Sequence, residues 1–291
     1  RKAVQKKEIY GYLSIPPKFE QDAISGKNAT LSYYYHYALL SVGGELMAAF
    51  ETSLAPVSLS PIVMQAVALG VEQDKITTFL LPVQASNHPI YNPSLDYSVY
   101  LSQPFFFVLF QVLILLITVY AVGIEIKFRT ADEWLFVAKG NMVTAVLGKL
   151  LPYTIIFILI GWLANYVMFG ILHIPFQGSW LLMNMLTALF VVATQALGLF
   201  LFSLFPAISL IISIVSMVGS LGATLSGVTF PVTNMYPLVR DASYLFPVRH
   251  FTEMMQNMLY GGSGFIYLWP SVVILCIFPL LAFVLLPHLK R

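Results

Sequence analysis

Five long apolar runs, separated by polar segments, follow the first 103 residues of the chain. The runs cover about residues 104–124, 150–172, 180–205, 207–230 and 266–287. None of them contains Asp, Glu, Lys or Arg. Because an α-helix needs roughly 20 apolar residues to cross a bilayer, the pattern predicts a polytopic α-helical membrane protein with five spans in a transmembrane domain of residues 104–291.

Residues 1–103 have a different pattern and predict a small mixed α/β domain. Alternating strand-forming residues predict three strands, at residues 8–15, 29–36 and 76–84. A helix from Pro16 to Gly26 and a longer helical stretch over about residues 42–70 are also expected. The Tyr33–Tyr37 run is interpreted as strand packing and not as a stacking or metal site, because a single imidazole is a poor ligand set.

Composition supports the membrane assignment. Hydrophobic residues make up 58% of the 291-residue chain and charged residues 10%, whereas soluble domains have about 25% charged residues. The net charge of +2 gives no indication of a nucleic-acid partner. The single cysteine, Cys276, excludes an intrachain disulfide.

The basic residues predict an orientation, because short loops rich in Lys and Arg face the cytoplasm. Loop 125–149 has four basic residues and the C-terminus ends in Lys-Arg, whereas the connection at 173–179 has none. The loop and the C-terminus are therefore predicted to be cytoplasmic, with residues 1–103 and the return segment 231–265 outside. Since the chain begins with Arg1 and no span precedes the outer domain, we expect a sixth, N-terminal span upstream.

The predicted spans contain amides and hydroxyls but no ionisable groups, which argues against a carboxylate-based proton antiporter. Asn165, Asn184 and Gln195 are candidates for a path taken by an amphipathic substrate. Interhelical hydrogen bonding is the alternative use of such residues. A small-residue face on the fourth span, suited to close helix contact, is formed by Ser209, Ser213, Ser216, Ser220 and Gly227, with Gly219 and Gly222 nearby.

The charged loop predicts an amphipathic helix from Asp132 to Leu150. Its apolar positions recur every three or four residues, at Trp134, Ala138, Met142, Ala145 and Val146. Such a helix either rests at the lipid headgroups or docks a soluble cytoplasmic partner. Both interpretations stay open on pattern alone.

The return segment 231–265 is divided by prolines at 231, 237 and 247. Its second half has an apolar face that begins at Phe251 and ends at Leu259. Four charged or titratable residues form a candidate outer gate: Arg240, Arg249, His250 and Glu253. They either pair with one another and with Asp241, or contact a departing substrate.

Several short motifs occur in the order found in one family of transport proteins. They are Ile15-Pro-Pro-Lys-Phe19, Asp132-Glu-Trp-Leu135, Gly148-Lys-Leu-Leu-Pro-Tyr153, Gln195-Ala-Leu-Gly-Leu199, Ser226-Gly-Val-Thr-Phe-Pro231 and Phe246-Pro-Val-Arg-His-Phe251. With these motifs the chain resembles the ATP-binding-cassette type-2 (ABC-2) exporter permeases over nearly its whole length. It departs from them at Arg129, where many members have glycine.

The resemblance implies a six-span permease subunit of an ATP-driven exporter in the bacterial inner membrane. It also implies a second permease, cytoplasmic ATPase subunits, membrane lipid and, in some systems, a periplasmic adaptor as partners. The loop would be a coupling helix that uses Asp132, Glu133, Trp134, Lys139 and Met142. Because Gly148-Lys149 lacks the rest of a phosphate-loop motif, the chain is expected to be a transport subunit and not an enzyme, with ATP and magnesium on the partner.

Two other classes of function remain as alternatives. A cation-coupled secondary transporter would respond to a proton gradient without ATP. A non-transporting membrane scaffold would bind an envelope partner through its outer domain.

Overall fold

The computed structural model describes residues 9–19, 29–36, 40–58, 83–90, 97–174, 176, 178–228, 230, 232, 235–261, 265 and 268–285. Contacts divide the chain into two compact units, Arg1–Tyr100 and Leu101–Arg291. In chain order the elements are β1 (Gly11–Ser14), β2 (Ala29–His36), α1 (Leu40–Ser58), β3 (Val83–Ile90), α2 (Tyr97–Lys127), α3 (Ala131–Val137), α4 (Met142–Asn165), α5 (Trp180–Leu204), α6 (Ile208–Leu225), α7 (Pro237–Ser243), α8 (Pro247–Gly261) and α9 (Trp269–Leu285).

The first unit contains a three-stranded sheet with β2 in the middle. It pairs antiparallel with β1 and parallel with β3. Tyr33 and Tyr35 are buried on one face, where they pack against three side chains of α1, Leu46, Met47 and Phe50. Tyr34 stacks on Tyr12 instead, with 4.9 Å between the ring centroids. The alternation of a strand thus accounts for Tyr33, Tyr34 and Tyr35, and their interpretation as strand packing is confirmed, whereas Tyr37 lies outside the described residues.

The strand predictions differ in accuracy. The predicted strand at 29–36 is confirmed residue for residue, and the first strand is shorter than predicted, at Gly11–Ser14. The prediction that the third strand ends at 84 is wrong, because β3 continues to Ile90. Its second half contains polar residues and a proline, which disfavour strands locally, but all eight of its residues are in register with β2. The predicted helix at 16–26 is described only as far as Phe19, in a turn where the Phe19 N–H donates to the Pro16 carbonyl at 3.2 Å. The rest of that helix, the start of the predicted third strand at 76–82 and the part of the 42–70 helix beyond Ser58 lie outside the described residues.

Four helices in the described part of the chain are long and apolar enough to cross a membrane: Leu101–Lys127, Met142–Ile171, Trp180–Leu204 and Ile208–Leu225. The second of these includes a π-helical end, Tyr166–Ile171, that continues α4. A shorter apolar helix, α9, has 17 residues and corresponds to the last predicted run. Because a helix satisfies its own backbone hydrogen bonds, it is suited to the hydrocarbon core, and the chain is a mostly helical polytopic protein.

The centre of the second unit is a cluster of three fully buried phenylalanines. Phe251 of α8 lies 4.6 Å from Phe107 of α2 and 4.7 Å from Phe190 of α5, measured between ring centroids. Gln111 of α2 also accepts a hydrogen bond of 2.8 Å from the backbone N–H of Val248. The return segment is therefore anchored between two of the membrane-crossing helices.

The short helices of this segment agree with the sequence pattern. α7 and α8 begin at Pro237 and Pro247, since proline is well accommodated in the first turn of a helix. The predicted apolar face of α8 is buried from Phe251 to Leu259.

The small-residue face of α6 has two parts. A Cβ atom on Gly219 would lie 2.7 Å from a methyl group of Val112, and one on Gly222 would lie 2.6 Å from Gln111 Nε2. The glycines therefore permit close packing against α2. The serines, in contrast, are exposed, and the hydroxyls of Ser213 and Ser216 bond to carbonyls of their own helix.

Two glycines of α4 provide a matched test of this packing. A Cβ at Gly161 would lie 2.6 Å from Thr187 Cγ2, whereas Gly148 has nothing within 4 Å. We expect Gly161→Ala to lower stability by about 1–3 kcal/mol through overpacking. Gly148→Ala should leave stability equal or raise it by up to about 1 kcal/mol, because alanine has the higher helix propensity. Thermal unfolding of the detergent-purified variants measures the difference, and equal losses in both would contradict it.

Candidate functional site

The predicted loop 125–149 contains α3 and the first turns of α4, and not one continuous helix. The predicted amphipathic helix from Asp132 to Leu150 is wrong, because α3 ends at Val137. Lys139 adopts a left-handed conformation, with φ 54°. Its N–H donates to the Phe136 carbonyl and the Gly140 N–H donates to Leu135, as in a Schellman C-cap. This local stop signal overrides the apolar spacing.

Asn141 starts the next helix immediately afterwards. Its side-chain oxygen accepts hydrogen bonds from the N–H groups of Val143 at 3.0 Å and Thr144 at 3.3 Å, as expected of an N-cap. Met142 is therefore the first residue of α4 and is 8% exposed. A partner could not reach it without disturbing the packing, so Met142 is unsuited as a surface contact.

The end of α2 has the same type of cap. Arg129, where the family resemblance led us to expect glycine, takes φ 60°, and the N–H of Thr130 donates to the Glu125 carbonyl at 2.9 Å. The turn that glycine favours thus forms with arginine. The left-handed conformation is less favourable by about 1–2 kcal/mol for a residue other than glycine.

An ion pair connects the segments on either side of the loop. Lys149 of α4 bonds to one carboxylate oxygen of Glu125, and the Thr130 hydroxyl donates to the other. The Lys149 ammonium also lies 5.5 Å from the centroid of the Trp134 ring, within cation–π range. These four residues, the Glu125 cluster, join α2, α3 and α4. Both charged side chains are less than 20% exposed, so the pair is screened less than a surface salt bridge.

The outer side of α3 presents apolar side chains to its surroundings. Phe136 and Val137 are 84% and 82% exposed. We call these two residues the α3 tip. Asp132, Glu133 and Lys139 are exposed beside it and make no salt bridge within the described residues.

The predicted coupling residues therefore have three different environments. Asp132, Glu133 and Lys139 face outward, Trp134 belongs to the Glu125 cluster and Met142 is buried. Sequence reasoning missed the α3 tip, because one continuous helix would have made Phe136 and Val137 part of its polar side. It also missed Glu125 and Lys149 as partners, since they are 24 residues apart.

Two of the three residues on the predicted substrate path belong to an interhelical network. Asn165 is fully buried and donates to Asn184 at 3.1 Å and to Thr187 at 3.0 Å. Gln103 of α2 donates to its side-chain oxygen at 3.5 Å. Hydrogen bonding between α2, α4 and α5 accounts for Asn165 and Asn184. Gln195 lies elsewhere, beside Thr154.

Most of the candidate outer gate is paired internally. Arg249 and Glu253 form a salt bridge of 3.0 Å along α8, and Ser271 donates to the same carboxylate at 3.2 Å. His250 is buried and bonds to the Tyr244 carbonyl through Nε2. Burial lowers the pKa of His250, which favours the neutral ring near pH 7.

Arg240 differs from the other three gate residues. It is exposed, and among the described residues its guanidinium forms a salt bridge only with the neighbouring Asp241, at 3.6 Å. Internal pairing is thus the better account of Arg249, His250 and Glu253, and Arg240 alone is accessible.

The long apolar helices, with a basic loop braced between the first two of them, are those of a polytopic membrane protein. The family model described as "ABC-2 family transporter protein" matches residues 1–286, and the chain belongs to this family. No solved structure matches it.

Curated relatives are inner-membrane and multidrug permeases of Escherichia coli K12. The chain is 31% identical over 109 residues to the inner membrane transport permease YhhJ, covering 36% of this chain and 28% of that protein. It is 26% identical to the probable multidrug ABC transporter permease YbhS, covering 46% and 36%. For the probable multidrug ABC transporter permease YbhR the identity is 24%, covering 62% and 49%. The matches thus span less than half of each relative.

A double-mutant cycle tests the Glu125 cluster. Lys149→Met leaves the Glu125 carboxylate without its cation, whereas Glu125→Gln together with Lys149→Met removes both charges. We expect the double variant to lose less stability than the sum of the single variants, with a coupling energy of about 1–3 kcal/mol. SDS-induced unfolding measures it. Lys127→Met is the control, since Lys127 lies over Phe128 but is exposed; additive losses would contradict the coupling.

Proposed function

We propose that the chain is the permease subunit of an ATP-driven exporter and that α3 is the element on which a cytoplasmic ATPase acts. The observation that carries the proposal is the α3 tip, two highly exposed apolar residues on a short helix that the Glu125 cluster ties to two long helices. Membership of the ABC-2 family supports it. A partner that buries the tip would gain apolar contact area and a rigid attachment.

The proposed mechanism is rigid-body rocking. ATP binding on the partner would move α3, and the Glu125 cluster would pass that motion to α2 and α4 together. Because the two helices are joined by an ion pair as well as by the chain, they would move as one body. ATP and magnesium act on the partner in this scheme, and this chain supplies the transport path.

The proposed orientation places the basic loop in the cytoplasm and the first unit outside, with a cytoplasmic C-terminus. The basic residues of the loop support it. Three exposed tryptophans, Trp162, Trp180 and Trp269, lie at the opposite end of the helices. Tryptophan is enriched at membrane interfaces, so these residues fit the outer headgroup level.

A second permease is part of the proposal. The serine side of α6 is exposed and built of small side chains, which suits close contact with another helix. The α/β unit would then be available outside for an envelope partner such as an adaptor. Arg240 is the gate residue left accessible to a departing substrate.

Removal of the α3 tip tests the coupling. We expect Phe136→Ala with Val137→Ala to weaken association with the ATPase at least tenfold, which corresponds to about 1.4 kcal/mol. Co-purification of the full-length protein from native membranes, followed by mass spectrometry and ATPase assays, measures it. Tyr236→Ala with Leu238→Ala is the matched control, because these two apolar residues are 76% and 75% exposed but lie in the return segment.

The outcome that contradicts the proposal is equally direct. An ATPase that co-purifies with the tip variant as well as with the unaltered protein would exclude α3 as the docking element. If no ATPase accompanies the unaltered protein, the cation-coupled and scaffold alternatives replace the proposal.

Accessibility of a single cysteine tests the orientation. In a Cys276→Ser background, Val137→Cys places a thiol on the exposed tip. We expect an impermeant maleimide to label it in inverted vesicles but not in intact cells, and to label Tyr236→Cys with the opposite preference. Labelling of Val137→Cys from outside the cell would reverse the topology.

A further inference from the structure

A cavity lies between α4, α5 and α9, in the half of the helices nearer the basic loop. It encloses about 230 Å³. Its walls include Val146, Leu150, Thr154, Gln195, Leu199 and Phe283. An apolar cavity of about 150 Å³ is large enough to hold benzene, so this one has room for a ring and a short substituent.

One polar side chain in the cavity wall has an unsatisfied end. Gln195 is 5% exposed and its Oε1 lies 2.7 Å from the Thr154 hydroxyl, but its Nε2 has no hydrogen-bond partner among the described residues. The Thr154 hydroxyl has one hydrogen and also lies 2.9 Å from the Leu150 carbonyl. If that hydrogen goes to Leu150, the amide can turn and donate to Thr154. In either arrangement one end of the amide remains unpaired, which is costly in an apolar surrounding.

The rest of the wall determines which molecules fit. None of the described residues that line the cavity is Asp, Glu, Lys, Arg or His, so an ion would enter without compensation from them. Leu147, Leu151 and Phe283 at its edge are 53%, 58% and 43% exposed. The rim is therefore apolar and accessible from the side of the helices that faces lipid.

We infer that this cavity binds a small neutral amphiphile, with one ring or a short chain and a single hydrogen-bonding group that pairs with Gln195. The apolar body would fill the space between α4, α5 and α9. The ligand would enter laterally, from the lipid at the end of the helices that carries the basic loop. The inference stands on the cavity and the unpaired amide, and it does not depend on the ATPase or on the direction of transport.

The probe for this site is 4-[3-(trifluoromethyl)diazirin-3-yl]benzyl alcohol, a neutral photoreactive ring with one hydroxyl. The full-length protein in phosphatidylcholine nanodiscs is irradiated with increasing probe, and the adducts are mapped by mass spectrometry. We expect saturable labelling at Thr154 and Leu199 that excess benzyl alcohol abolishes. Leu159, 54% exposed on α4, reports simple partition into lipid and should be labelled without saturation.

A substitution of Gln195 distinguishes binding that depends on its amide from binding that depends only on the apolar walls of the cavity. Gln195→Leu should reduce saturable labelling by the alcohol at least fivefold. The same diazirine with a methyl group in place of the hydroxymethyl group should label both proteins equally. Gln256→Leu is the matched control, because its Nε2 is also buried without a partner among the described residues but lies outside the cavity wall. The Gln256→Leu variant should be labelled by the alcohol probe to the same extent as the unaltered protein.

Two results would overturn the inference. Labelling at Thr154 and Leu199 that rises without saturation, as at Leu159, would show partition only. A phospholipid retained by the unaltered protein in native mass spectrometry, lost in Gln195→Leu and not displaced by benzyl alcohol, would make a membrane lipid the occupant.

Discussion

The ion pair between Glu125 and Lys149 is the constraint on which the basic end of the structure depends. It joins the last turn of α2 to the first turns of α4, while α3 lies between two left-handed turns at Arg129 and Lys139. Two such turns alone would leave α3 free to swing. Trp134 under Lys149 and Thr130 on Glu125 fix it to the same pair. A force on α3 therefore reaches both long helices.

Several amide side chains inside the bundle form hydrogen bonds between helices, and some of them bond at one end only. Asn165 and Asn184 bond to each other, and Gln111 caps α8 through Val248. These amides connect helices, as buried polar groups in membranes commonly do. Gln195 bonds at one end only, as Gln111 does, but it faces a cavity. Its type and depth resemble those of the other amides, and only its surroundings distinguish a candidate binding group from a structural one.

The sequence predicted those features of the fold that depend on the length of an apolar run or on the local residue pattern. The long apolar runs set the positions of the long helices to within several residues, and prolines set the starts of α7 and α8. The second strand was predicted fully, because Tyr33 and Tyr35 alternate with polar or stacked neighbours. The end of β3 was not, since pairing with β2 and not local propensity holds its polar half in the sheet.

The site was only partly predictable for a related reason. Periodicity placed Trp134 and Met142 on one helix face, but the Lys139 and Gly140 cap divides that helix. The division buries Met142 and exposes Phe136. The ion pair between Glu125 and Lys149 depends on how α2 and α4 lie side by side. Residue spacing within a single helix cannot predict that arrangement. Arg129 shows the opposite case, because its turn forms despite a residue that local preference disfavours.

The helix α2 connects the Glu125 cluster to the return segment within the second unit. Glu125 near the end of α2 belongs to the Glu125 cluster, and Phe107 and Gln111, earlier in the same helix, contact α8. At 1.5 Å per residue, Glu125 and Phe107 are about 27 Å apart along the axis. Pro104 is the only proline within α2, so the stretch between them lacks the usual cause of a kink. In the proposed mechanism a tilt imposed at α3 would therefore move α8 as well, because the same uninterrupted helix holds both.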